Sequence, residues 1–127
     1  DEKLSDLAGP TPNLTPTFTS IQRDIFNAKD STGRPACTSC HNPQGARFTG
    51  NLSLVGDAAY GNLVGARSTG KAGATRVIAG DPDGSYLLKK LLGSDIVGDR
   101  MPQSGPYLSD GQIRIIRRWI ELGAKND

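Results

Sequence analysis

The sequence predicts an all-α domain of about four short helices joined by long Gly- and Pro-rich loops. Two segments of the form S/T-x-x-Q, beginning at Thr19 and Ser109, stand just ahead of apolar residues at helical spacing. Sixteen glycines and eight prolines in 127 residues exceed ordinary usage, so the elements between them should be short. Residues 52–55 and 76–78 have the composition of short strands, but such brief runs fit a packed loop equally well.

Each element follows from its own chemistry. Residues 1–18 carry Pro10, Pro12 and Pro16 among threonines, which predicts an extended arm ahead of a single domain over 19–127. Thr19-Ser20-Ile21-Gln22 opens the first helix, with Ile21 and Ile25 on one stripe, and residues 27–35 break it. Residues 57–64 read as a short helix begun by Asp57 and closed by Gly65. Asp81 as N-cap with Pro82 at the first helical position starts another, whose Leu87, Leu88, Leu91 and Leu92 form a broad apolar face ending at Gly93. Residues 110–122 are the best-supported helix. Its box is Ser109 with Gln112, its stripe is Ile113, Ile116 and Ile120 beside Trp119 and Leu122, and Gly123 is a left-handed stop. Arg114, Arg117 and Arg118 lie off that stripe and should be solvated, while Trp119 should be core.

Cys37-Thr38-Ser39-Cys40-His41 contains the only two cysteines and the only histidine, and spells the c-type haem attachment pattern C-x-x-C-H. If residues 37–41 form one helical turn, both thiols and the imidazole project from one face, which suits a flat macrocycle. Cys37 and Cys40 can then add to the vinyl groups as thioethers, and a nitrogen of His41 can take the iron as proximal ligand. Asn42-Pro43 should end the turn, and the second imidazole nitrogen needs an acceptor, expected in the loop beyond. A structural zinc site needs four ligands, and no other Cys or His exists. A thioredoxin-type dithiol should follow a strand, whereas residues 27–36 are polar and include Gly33 and Pro35. Neither that switch nor a plain disulfide gives the adjacent histidine a role, so haem attachment is favoured.

Met101, the only methionine, lies in Asp99-Arg100-Met101-Pro102. A lone methionine is commonly a core filler. Here Arg and Pro flank it, and Pro102 biases it toward an extended backbone. Without a second histidine, Met101 is the best distal ligand, and a His/Met pair leaves iron no open position. Electron transfer without catalysis follows. A five-coordinate haem sensor or weak peroxidase is the alternative if Met101 does not stay on the iron.

These features resemble the small mono-haem class I cytochromes c of bacteria. The resemblance covers residues 19–124 and rests on C-x-x-C-H, on Arg100-Met101-Pro102 with Gly105 and Leu108-Ser109, and on Ile113, Ile116, Trp119, Ile120, Gly123 and Ala124. Tyr60-Gly61-Asn62-Leu63-Val64 and Gly80-Asp81-Pro82 with Ser85 add to it more weakly. The long Gly-rich middle departs from the mitochondrial type, as does Ser53 in place of a proline twelve residues after the histidine. The resemblance implies a class I cytochrome c-like fold around one haem c, with crossed first and last helices. It also implies redox partner proteins and attachment after export to the periplasm or cell exterior. A start at Asp1 is expected to reflect a signal peptide already removed.

Composition agrees with these expectations. With 35% apolar and 6% aromatic residues the interior is lean, and a buried haem would supply the missing volume. A formal charge of +2 is too small to point to nucleic acid or a membrane surface, and no apolar run approaches the ~20 residues of a membrane span. A monomer or weak associate is expected. Residues 31–80 hold five basic side chains against Asp57 alone, a local excess of four. Of these, Arg47 and Arg76 are the expected partners of the haem propionates, with a solvated surface as the equal alternative. Trp119 is a further candidate for packing on the haem.

Overall fold

A computed structural model describes residues 9–45, 50–103 and 105–127. Helices and turns dominate, and among the described residues the extended segments form isolated bridges and no sheet. Val64 pairs with Val77, and Thr75 with both Arg67 and Ser85. Residues 52–55 and 76–78 are therefore loops stitched to their neighbours.

Helix α1 (Phe18–Ile21) runs directly into a π-helical turn (Gln22–Phe26). Its N-cap is Thr17, whose hydroxyl accepts from the Ser20 amide at 3.2 Å, so the helix begins earlier than the box at Thr19 predicts. The Phe18 and Thr19 amides, left over at the helix start, donate to the Asp127 side chain and carbonyl at 2.9 and 2.8 Å. Ile21 and Ile25 are buried as expected, and Phe18 and Phe26 join them. The core also takes Leu14, 1% exposed, so the expected arm over 1–18 is part of the packed domain from residue 14 onward.

Helix α2 (Ala58–Leu63) lies within the predicted range, and Gly65 follows with φ +75°. Helix α3 (Tyr86–Leu92) starts later than Asp81-Pro82 suggested. Asp81 spends its carboxylate on the Gly84 amide (3.0 Å) in a tight turn, and Ser85 becomes the N-cap position. Its face is also narrower than expected, for Leu88 and Leu91 are buried while Leu92 is 45% exposed. Gly93 ends the helix in the left-handed conformation, as predicted.

Helix α4 (Asp110–Glu121) has the full reciprocal box. Ser109 accepts from the Gln112 amide at 3.1 Å, and the Gln112 side chain accepts from the Ser109 amide at 2.9 Å. Ile113, Ile116, Trp119 and Ile120 are buried with Ile115, but Leu122 is 47% exposed because it sits past the last turn. Arg114 and Arg118 are exposed, and Arg117 meets Asp83 at 2.8 Å on the surface. Trp119 packs on Phe18 with ring centroids 5.4 Å apart, joining the last helix to the first. No helix of the described residues is long and apolar enough to cross a membrane.

Candidate functional site

The motif folds as one helical turn. A 3-10 turn (Cys37–Ser39) is followed by an α-type bond from the His41 amide to the Cys37 carbonyl at 2.9 Å, which places Cys37, Cys40 and His41 on a single turn. Asn42 closes it: its Nδ2 donates to the Thr38 and Ser39 carbonyls at 3.0 and 3.2 Å, and its Oδ1 accepts from the Gly45 amide at 2.8 Å. The side chain thus satisfies carbonyls that the short turn leaves open. Both thiols are free, Cys40 on the surface and Cys37 half-buried with Sγ 3.9 Å from the Ile25 carbonyl. Burial pushes the Cys37 thiol up, and the nearby Arg34 charge opposes that shift.

His41 is held at two points by the following loop. Its carbonyl accepts from the Leu54 amide at 2.9 Å, and its Nδ1 lies 3.2 Å from the Leu52 carbonyl. A carbonyl can only accept, so Nδ1 carries the proton and Nε2 keeps its lone pair. Leu52 is therefore the acceptor that the motif requires, and it could not be read beforehand because every residue has a carbonyl. Burial lowers the imidazole's pKa, the Leu52 bond opposes this, and the Arg76 and Lys90 charges lower it further. The result favours the neutral, ligating form.

Met101 rests half-buried against the core, at the end of a loop tied to α3. Its amide donates to the Lys90 carbonyl at 2.9 Å. The Lys90 ammonium in turn holds the Val97 and Asp99 carbonyls at 2.9 and 2.7 Å. Arg100 donates to the Leu91 carbonyl at 2.9 Å and lies 3.9 Å over the Tyr107 ring. Lys90 thus both anchors the Met101 backbone and acts electrostatically on His41.

The other expected residues are differently employed. Arg76 is half-buried and donates to the Asn62 and Gly50 carbonyls at 2.9 and 2.7 Å. Arg47 lies outside the described residues. Trp119 is core, and its indole N–H donates to the Lys125 carbonyl at 2.8 Å.

Composition and spacing gave no hint of the role of Arg34. It is fully buried, paired with Asp30 at 3.0 Å, and donates to the Ile25 and Pro35 carbonyls at 3.1 Å each. It therefore shares the Ile25 carbonyl with Cys37 and sits directly behind the motif.

Among the described residues no group of three or more His, Cys, Asp or Glu side chains gathers. The residues present do fit a covalently held haem. A free Nε2 lone pair and two free thiols share one turn, and Cys37, Leu52, Val64, Leu87 and Met101 pack on the core while keeping apolar surface open. No family model, no curated protein and no solved structure matches the chain.

Proposed function

We propose that this protein carries single electrons on a covalently attached haem c, in the manner of the small class I cytochromes c. The observation that carries the reading is the state of His41. Its Nδ1 proton is committed to the Leu52 carbonyl, so Nε2 is a fixed electron-pair donor beside two unpaired thiols. Cys37 and Cys40 would hold the group as thioethers, His41 would be the proximal ligand and Met101 the distal one. When bound, haem c supplies a one-electron ferric/ferrous couple. The chain's own work is to hold the imidazole neutral and oriented, and to hold the Met101 loop on the end of α3. Arg76 and Arg47 are the proposed propionate partners. Redox proteins would meet the exposed edge through a small, weak interface suited to rapid exchange, and the compartment would be the bacterial periplasm or cell exterior.

One visible and near-infrared spectrum of the purified protein tests this. The reading expects a Soret band that survives denaturation, the weak near-infrared charge-transfer band of Met-ferric ligation, and no carbon monoxide binding when reduced. Carbon monoxide binding with no near-infrared band would favour the five-coordinate sensor or peroxidase. No Soret band, with both thiols reactive after reduction, would favour a dithiol redox protein.

A further inference from the structure

The loop that orients His41 is itself held by two amide side chains. Gln22, the first residue of the π-helical turn after α1, donates through Nε2 to the Leu54 carbonyl at 2.8 Å. Asn62, on α2, donates through Nδ2 to the Ser53 carbonyl at 3.0 Å. Between them these two bonds fix residues 53 and 54, immediately beside the Leu52 carbonyl that faces Nδ1. The Leu54 amide is meanwhile bonded to the His41 carbonyl, so loop and imidazole are registered on each other from both ends.

The manner in which Gln22 does this is costly. Its Oε1 is buried and has no hydrogen-bond partner, while Nε2 serves Leu54 and the Asn27 side chain at 2.9 Å. A buried acceptor without a donor is destabilising, and an apolar side chain of similar size would not carry that oxygen. Turning the amide over would put Oε1 against the Leu54 carbonyl, acceptor to acceptor, so the nitrogen's placement is fixed by Leu54. π-Helical turns themselves are rare and concentrate at functional sites. A residue that gives up local stability to place one donor is the pattern of a positioning group.

We infer that Gln22 and Asn62 are positioning residues for His41: by fixing the 52–54 loop they set the strength of the Leu52 bond to Nδ1, and through it the electron-donating power of Nε2. The inference rests on the haem reading above. A strong Nδ1–H···O bond makes the imidazole a better donor and favours ferric iron, so loosening the loop raises the potential.

The test uses the haem-loaded protein with Gln22→Leu and, independently, Asn62→Ala. Each variant is expected to load haem and keep the near-infrared band of Met ligation. Each is also expected to shift the ferrous-to-ferric ratio at fixed ambient potential about threefold toward ferrous, which is about 28 mV for a one-electron couple. The His41 Nδ1 proton, followed by NMR in the ferrous protein, should exchange faster with solvent in both. Gln22→Leu should leave the denaturation midpoint close to wild type, since removal of the unpartnered Oε1 offsets the Leu54 carbonyl it leaves without a donor. A merely structural role predicts the reverse, a lower midpoint with potential and exchange unmoved, and that result overturns the inference. Failure of both variants to load haem overturns it too, because it assigns folding to neither residue. A wild-type protein with no haem bands overturns the underlying reading instead, and is seen before any variant is made.

Discussion

At the scale of single residues, Met101 is the side chain on which the proposed electron transfer, as against an open iron, would turn. Met101→Ala should leave covalent attachment intact, abolish the near-infrared charge-transfer band and lower the midpoint potential, since a neutral thioether favours ferrous iron. A potential equal to wild type in a redox titration would remove Met101 from the coordination sphere. Asp30 offers a test of the scaffold behind the motif. Its burial would raise the carboxyl, but hydrogen bonds from Thr32, Gln112 and Arg34 outweigh this and hold it well below the ordinary range. A carboxyl lowered on folding contributes stability above its unfolded value near ~3.9 and loses it as pH falls through that value toward the folded one. Asp30→Asn should therefore cost roughly 3 kcal/mol at neutral pH, where it leaves Arg34 buried without its carboxylate, and the gap to wild type should begin to narrow only as pH falls below about 4. Denaturant midpoints measured against pH read both effects. The residues of the motif were legible because Cys and His are scarce here and their spacing is chemical. Leu52, Gln22, Asn62 and Arg34 were not, because a backbone carbonyl has no side-chain signature and polar residues at unremarkable spacing reveal a buried role only through their partners.

At the scale of elements, the left-handed end of α3 governs the Met101 loop. Gly93 has φ +75°, and a Cβ added there would lie 2.8 Å from Cδ of Arg100, the neighbour of Met101. Gly93→Ala should cost about 1–2 kcal/mol from the backbone alone. Because Arg100 must also shift, the variant should show a weakened near-infrared band, read in the same samples as the denaturation midpoint. Where sequence reading succeeded, the determinants were local: the box at Ser109 and Gln112 needs no tertiary partner, so α4 was placed to within a residue. Where it failed, a local signal had two uses. Asp81-Pro82 is a good helix start and an equally good tight turn, and the contacts of Ser85 with the Ile78 amide and Asp81 carbonyl, 2.9 and 2.8 Å, resolve the choice toward the turn. Thr17 and Thr19 are chemically the same cap, and the Asp127 acceptors at the Phe18 and Thr19 amides, 108 or more residues away, are part of what selects the earlier one. The π-helical turn at Gln22 has no pattern that sequence periodicity could reveal.

At the scale of the whole molecule, the two ends of the described chain and the first and last helices form one packed unit. Tyr60 donates to the Ala124 carbonyl at 2.6 Å, Asp127 caps α1, and Leu14 fills the core beneath. At its centre Trp119 is fully enclosed, ring against Phe18 and N–H on the Lys125 carbonyl, and it is the only tryptophan in the sequence. The molecule therefore carries a built-in optical reporter. In the haem-loaded protein its fluorescence should be quenched by energy transfer while the chain is folded and should return on denaturation, so that one emission trace follows assembly without any label. Bright emission from the native, loaded protein would place the chromophore outside the domain that holds Trp119.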